Sequence, residues 1–419
     1  MKIIVAHPGK QHSYRLASAL RKSGLLHSYI TEIYDKESSW MMKLVKKVLG
    51  QNNLKRAKAH YNPDIEDSKV VQFCELGGFL ELLSIRLDKS MKLYRWLSRF
   101  STDSFGLKVA KYAIKNEVDM VLGYDSDSTT CFEYLKKHAP HIKRVLDVSI
   151  AARPYMKTLF QEDYDRSGES YAKDENIYLW KRGLDRFYSE INNADYFLVA
   201  SDFVKESLLY CGVRADQILK VPYGANTSSN IPINDVKESG PLKIQFVGQT
   251  NARKGMPMLL DCVSGMNPKQ YDLTVTGTIN KKSKYIAKHL NDEHIHFTGF
   301  VTPDRMRQIY EDAHVFVLPS IAEGMAMVGI EAMACGLPVI CTVNSGLSDL
   351  IVDGETGFII PVGDEKALKE NLEWFSEHKD RIRTMGERAR EIARNYTWDE
   401  YEKNVVKAIA GLWEQQHSE

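Results

Sequence analysis

The sequence has no Cys-x-x-Cys pair. Its six cysteines, Cys74, Cys131, Cys211, Cys262, Cys335 and Cys341, are scattered and do not cluster with histidines. That argues against a zinc site and a disulfide framework, and suits a reducing cytosol. An excess of one charge is also missing. Lys+Arg number 56 against 55 Asp+Glu, whereas a general nucleic-acid binder carries a clear basic excess. No nucleic-acid partner is expected. No run of ~18 uninterrupted apolar residues occurs, so no membrane span is expected. The opening Met-Lys-Ile-Ile-Val-Ala-His-Pro-Gly has too short an apolar run for a signal peptide. No Gly-x-Gly-x-x-Gly follows a strand-like run, which speaks against a dinucleotide-dependent oxidoreductase.

What is present points to a globular chain of two or three domains: 419 residues, 43% hydrophobic and 26% charged. Short apolar runs alternate with longer amphipathic ones. Strands are expected at residues 2–6, 120–122, 144–148, 196–200 and 218–221, and helices at 14–22, closed by Gly24, and at Asp202–Tyr210, closed by Gly212. Residues 226–240 are rich in Asn, Ser and Pro, have no period, and read as a linker. A second set of strands is expected at 243–247, 273–276, 295–297, Val315–Leu318 and 338–341. Alternation on both sides of a linker predicts two parallel-sheet α/β domains. Ligands of such sheets bind beyond the carboxyl ends of the strands. The natural site is the cleft between the domains.

The segment from Pro319 to Ile340 carries the strongest chemical signal. Val315–Leu318 is followed by a Pro-Ser turn, and Glu323-Gly324 is expected to open a helix that Gly336 ends. Backbone N–H groups at a helix start favour an anion, commonly a phosphate. Glu331 lies two turns inside. Eight residues span ~12 Å if helical throughout, the scale of a nucleotide sugar laid across the helix end. One carboxylate can then accept hydrogen bonds from sugar hydroxyls and the other from ribose hydroxyls. The plainer alternative is that Glu323 complements the helix dipole and Glu331 sits on a solvated face. Glu331 is flanked by Ile330, Ala332, Met333 and Ala334, however. A carboxylate among apolar residues needs a partner.

This segment resembles the Glu-x7-Glu signature of retaining GT-B glycosyltransferases of family 4, the group 1 class. The resemblance extends to Ala194-Asp195-Tyr196-Phe197-Leu198-Val199-Ala200-Ser201, Val221-Pro222-Tyr223-Gly224-Ala225-Asn226, Phe246-Val247-Gly248-Gln249 through Arg253-Lys254-Gly255, and Phe297-Thr298-Gly299-Phe300-Val301, in the family's order. It is good over about residues 190–400 and only architectural before that. It implies two Rossmann-like doubly wound domains facing a central cleft. Residues 1–225 would form the acceptor side and 241–395 the nucleotide-sugar side. Residues 396–419 would be a helix crossing back.

The resemblance also implies roles. Glu323 would hold the donor sugar and Glu331 the ribose. Arg253 and Lys254, two cations on a loop after a strand, would neutralise the departing diphosphate. Lys254 matches the family lysine, but Gln249 stands where an arginine is usual, so the arginine's part falls to Arg253. Gly248, Gln249, Gly324, Met325, Ala326, Met327 and Val328 would line the donor. Gly277, Thr278, Phe300 and Val301 would line the nucleoside, although a reading as plain strand-end turns is equally open for these. Gly9, Lys10 and Gln11 would face the phosphates and acceptor across the cleft. Structural roles are expected for His7 and His12. Tyr124 or Asp125 stands where many relatives carry a histidine near the transferring sugar. Asp147, at a neighbouring strand end, is a further candidate for the cleft. Asp125-Ser126-Asp127 looks like a metal-binding Asp-x-Asp, but the cationic loop already supplies positive charge, so neither metal nor cofactor is expected.

Residues 36–60 hold seven Lys/Arg and one acidic residue. Their helical projection sets Trp40, Met41, Leu44, Val45, Val48 and Leu49 on one side and Lys43, Lys46 and Lys47 on the other. Residues 86–100 repeat the theme. Such stretches suit an anionic membrane surface or are ordinary surface helices. The expectation is therefore a cytoplasmic, metal-independent, retaining hexosyltransferase, peripheral on the inner face of the membrane. It would use a UDP-sugar before a GDP-sugar, and a saccharide or lipid-linked acceptor. The alternatives are a nucleotide-sugar epimerase of the same fold and a non-catalytic nucleotide-sugar-binding or membrane scaffold protein.

Overall fold

The computed structural model describes residues 1–9, 12–36, 60–87, 92–175, 181–227 and 240–417. Lys10, Gln11, most of the basic stretch 36–60 and most of the expected linker lie outside them.

The N-terminal half forms a seven-stranded parallel sheet. Its strands are β1 (Ile3–Ala6), β2 (Leu26–Thr31), β3 (Val70–Gln72), β4 (Met120–Tyr124), β5 (Lys143–Val148), β6 (Tyr196–Val199) and β7 (Ile218–Lys220). The order is β3-β2-β1-β4-β5-β6-β7. The second sheet holds β8 (Leu242–Val247), β9 (Tyr271–Thr276), β10 (Ile295–Gly299), β11 (Val315–Leu318), β12 (Val339–Thr342) and β13 (Gly357–Ile360), in the order β10-β9-β8-β11-β12-β13. In each sheet the order reverses beside the first strand, between β1 and β4 and between β8 and β11. Such switch points open a crevice beyond the strands' carboxyl ends.

The strands are apolar because helices cover both faces. Ile3, Ile4 and Val5 are wholly buried. One face of the first sheet packs under helices Lys92–Lys115, Thr129–His138 and Lys181–Asn193. The other face joins the core of the C-terminal half in one continuous cluster. Helix Trp398–His417 lies on helix Ser13–Lys22. There Lys22 Nζ meets Glu402 Oε2 at 2.6 Å, and the Arg15 guanidinium lies 5.0 Å from the Trp398 ring centre.

Three strands lack a clear sequence signal. β2 reads Leu-His-Ser-Tyr-Ile-Thr, yet its polar groups are satisfied inside: Ser28 shares a hydrogen bond with the Tyr112 hydroxyl, and Thr31 Oγ1 donates to Pro8 O. β3 has three residues, and β13 follows a turn. One expectation is corrected. The helix after β11 spans Met327–Ala334 and does not start at Glu323-Gly324. The backbone of that segment bonds elsewhere. Glu323 N–H donates to Asn344 O, Glu323 O accepts from Ala151 N–H, and Gly324 O accepts from Ser201 Oγ at 2.6 Å. A Cβ on Gly324 would overlap the Ser149 carbonyl. Docking against the N-terminal domain thus holds the segment as a loop.

Candidate active site

The loop after β8 is built for close approach. The Asn251 side chain accepts from Lys254 N–H at 3.1 Å, which caps a short 3-10 turn over Ala252–Lys254. Gly255 ends the turn at φ +73°, and a Cβ there would overlap the Pro319 carbonyl. Only glycine fits both the left-handed backbone and this contact. The loop therefore lies against the end of β11, where Ile321 N–H donates to Arg253 O at 2.8 Å.

This packing brings three charges together. Arg253 Nη1 lies 2.7 Å and Lys254 Nζ 2.8 Å from Glu323 Oε1. Arg253 also donates to Ala322 O at 2.6 Å. Burial raises the Glu323 pKa, but the Lys254 and Arg253 charges outweigh it and hold the carboxyl below its ordinary range. Glu323 is thus a carboxylate fixed between two cations. Gln249 sits nearby, accepting from Asn251 Nδ2 at 3.2 Å.

Glu331 stands apart on helix Met327–Ala334. Its partner is the Tyr310 hydroxyl from helix Pro303–Glu311; burial raises its pKa, and that hydrogen bond opposes the rise. Tyr310 also donates to Val328 O at 3.2 Å. Gly277 lies against the Gly248 carbonyl with no room for a Cβ, and Thr278 O accepts from Thr250 Oγ1 at 2.9 Å. Phe300 is 79% exposed after the edge strand β10. Met325 and Ala326 are buried, and Met327 is partly exposed.

A cleft of about 800 Å³ separates the Arg253 loop from the N-terminal domain. Of the expected residues, Gly9, Asp125, Gln249 and Arg253 line it; Gly248, Lys254, Glu323, Gly324, Met325, Ala326, Met327, Val328, Glu331, Gly277, Thr278, Phe300 and Val301 do not. Tyr124 does not reach it either. It is 1% exposed, edge-on to the rings of His7 and His12. Asp147 is likewise buried, 3.0 Å from His12 Nε2 and 3.2 Å from the Tyr223 hydroxyl. It serves a buried polar network and is not on the cleft. Asp125 Oδ1 accepts from Ser149 N–H at 3.1 Å. Burial raises the pKa of Asp125 and, aided by Glu190 and Asp125, pushes Asp127 to about 7. Among the described residues, no three His, Cys, Asp or Glu side chains converge to hold a metal ion.

Four charged lining residues escaped the sequence reading: Glu32, Glu81, Arg153 and Glu175. Glu175 crosses the cleft. Its Oε2 accepts from Ala252 N–H at 2.7 Å, and its Oε1 accepts from the Tyr285 hydroxyl. No local pattern marks such residues, because each gains its place through contacts distant in sequence.

Two doubly wound domains with a cleft at their switch points define the GT-B architecture. Comparison with solved structures agrees. Sucrose-phosphate synthase from Thermosynechococcus elongatus superposes with a TM-score of 0.69 at 19% identity, covering 100% of this chain and 99% of that one. HepE from Anabaena, in complex with UDP, gives a TM-score of 0.62 at 13% identity, covering 98% and 100%. In sequence, the chain is 22% identical over 371 residues to the Escherichia coli chain WcaL, which carries the name of a colanic acid biosynthesis glycosyltransferase; the match covers 77% of this chain and 90% of that one. The chain spans about half the length of several other curated relatives it matches. Residues 229–392 match the family described as glycosyl transferases group 1.

Proposed function

We propose that the protein transfers a hexosyl-type sugar from a nucleotide-sugar donor to a saccharide or lipid-linked acceptor in cell-surface glycan synthesis, with retention and without a metal. The observation that carries this reading is the convergence of Lys254 and Glu323 on Arg253, which lines the interdomain cleft. Two fixed cations can neutralise a diphosphate as it leaves, and such preorganised charge is the largest single term in many enzymes. The acceptor hydroxyl attacks the anomeric carbon from the face the diphosphate leaves. The glycosidic C–O bond to the diphosphate breaks, the new C–O bond forms, and a phosphate oxygen takes the hydroxyl proton. No enzyme nucleophile is needed. Glu331 would hold the ribose, with Tyr310 orienting its carboxyl. UDP is favoured over GDP as the carrier, a choice supported by the UDP held in a neighbour of the same architecture.

A membrane-peripheral position at the inner face is part of the same proposal. It is supported by Leu76, Leu80 and Leu83 on helix Glu75–Leu87 and Trp96 and Phe100 on helix Lys92–Lys115, all of them exposed. No helix among the described residues is long and apolar enough to cross a membrane. A thermal-shift panel of UDP, GDP and their sugars tests the donor, because a ligand of the folded state raises apparent stability. No shift with any of them refutes the reading. Conversion of the donor without an acceptor would favour an epimerase, and binding without turnover a scaffold.

A further inference from the structure

The cleft wall on the N-terminal side carries four carboxyl groups and Arg153, whose guanidinium donates to Gly183 O at 3.0 Å and to Ser126 Oγ. Glu32 follows β2, Glu81 lies on helix Glu75–Leu87, and Asp125 and Asp127 follow β4; all four line the cleft. The placement of the first two is deliberate in the packing. Gly78 lets its helix sit against Glu32, since a Cβ there would come 2.8 Å from Glu32 Oε2. Ser101 Oγ donates to Glu32 Oε1 at 2.5 Å. Glu81 Oε1 is buried with no hydrogen-bond partner.

A second, independent observation comes from β1. His7 lines the same cleft and is 4% exposed. Gly9 N–H donates to His7 Nδ1 at 2.9 Å, so the neutral ring carries its proton on Nε2. That N–H finds no acceptor in the protein. Burial holds the ring neutral by lowering its pKa to about 4. Buried polar atoms without partners are rare and call for an explanation. Here a buried donor and a buried acceptor stand unused in one cleft.

We infer that Glu32, Glu81 and His7 form the acceptor subsite, and that it takes an uncharged, hydroxyl-rich sugar and rejects anionic ones. This deepens the transferase reading and rests on it. A sugar hydroxyl both donates and accepts, so neighbouring hydroxyls can satisfy Glu81 Oε1 and His7 Nε2–H together. Burial pushes Glu32 up to about 8, so near neutral pH its carboxyl offers an O–H donor as well as an acceptor. A uronate carboxylate or a sugar phosphate has only acceptor oxygens and cannot donate to Glu81 Oε1, and Arg153 on the same wall already donates to Gly183 O and Ser126 Oγ. A buried acceptor left facing another acceptor costs binding, and that mismatch supplies specificity.

The test is ligand-detected NMR with the whole protein, run with and without saturating UDP. The probes are the methyl glycosides of glucose, galactose and mannose and methyl glucuronide. At least one neutral glycoside is expected to bind about tenfold more tightly than the glucuronide. Glu81→Gln and Glu32→Gln are each expected to weaken that glycoside about tenfold, the loss of one good hydrogen bond, with UDP affinity and a single cooperative unfolding transition retained as controls of folding. A glucuronide that binds as well as the best neutral sugar overturns the inference. So does neutral-sugar binding that both variants leave untouched, or the absence of any neutral-sugar binding. Because the glycoside arm is also run without UDP, a failure of UDP to bind counts against the transferase reading and leaves the subsite measured.

Discussion

Exchanging Glu323 for glutamine keeps the side chain's shape and removes one negative charge from between Arg253 and Lys254. The structure sets the size of the effect. Glu323 meets both cations at 2.7 and 2.8 Å, with side-chain exposures of 10% for Glu323, 18% for Arg253 and 12% for Lys254. Breaking a fully buried pair costs about 3–5 kcal/mol. Partial access to water and the remaining amide oxygen reduce that here to about 2 kcal/mol. For a domain of this size it corresponds to a fall of roughly 4–8 °C in the melting temperature of the free protein. UDP should reverse the trend. Its diphosphate supplies the charge that Glu323 supplied, and in the variant it need not displace a carboxylate. UDP affinity should therefore equal or exceed that of the wild type, while turnover falls about 100-fold because the donor sugar has lost its partner. Glu331→Gln should behave oppositely, weakening UDP and the whole donor alike. Calorimetric titration with UDP, differential scanning and donor turnover measure all three quantities. Equal loss of UDP affinity in the two variants would falsify the assignment and give both glutamates a structural role.

Lys254→Ala and Arg253→Ala should each lower kcat/KM by ~100- to 1000-fold, the usual loss for one preorganised charged group. Near-normal turnover in both would remove the clamp from the mechanism. Protein treated with EDTA and desalted should keep its rate; loss restored by Mn²⁺ would make ligands of Asp125 and Asp127. Stability should fall as pH rises from about 6.5 to 8; below that, His7 and His314, which burial lowers from 6.5 to about 4, act in the opposite direction. Burial raises the folded-state pKa of Glu32 to about 8 and that of Asp127 to about 7, so the folded state holds protons there that the unfolded state has released. Glu32→Gln should flatten the melting-temperature profile over that window, and an unchanged slope would show that Glu32 does not titrate there. Glu323 acts in the other direction. Its depressed pKa contributes stability at neutral pH that is lost as pH falls through the folded value, below the ordinary carboxylate range.

Strands buried on both faces announced themselves as apolar runs, which is why β1, β4, β8 and β11 stood near their expected bounds. Turn glycines did the same for helix ends: Gly24, Gly212 and Gly336 all have positive φ. β2 did not, because its His, Ser and Thr broke the apolar pattern while their hydrogen bonds were met inside the fold. The start of the helix after β11 failed for another reason. Glu323-Gly324 has the chemistry of a helix start, but Asn344 takes the Glu323 N–H and the neighbouring domain takes the two carbonyls, and a tertiary contact has no local signature.

The donor-side loop was legible because its chemistry is concentrated in a short stretch. Arg253 and Lys254 are adjacent, and Glu323 is delivered by the strand next to theirs in the sheet. The opposite wall was legible only at Gly9 and at Asp125 after β4. Glu32, Glu81, Arg153 and Glu175 come from separate segments, and no spacing links them. What the structure adds is the contrast between the walls. Both cations on the C-terminal side are already held by Glu323, whereas on the N-terminal side Glu81 Oε1 and His7 Nε2 are held by nothing. A diphosphate can exchange with Glu323 for the cations, so the donor side works by replacing one anion with another. On the N-terminal side Arg153 is tied to Gly183 O and Ser126 Oγ, and Glu81 Oε1 and His7 Nε2 can gain only hydrogen bonds. That asymmetry is the physical reason to seek the anionic substrate on one wall and the neutral one on the other.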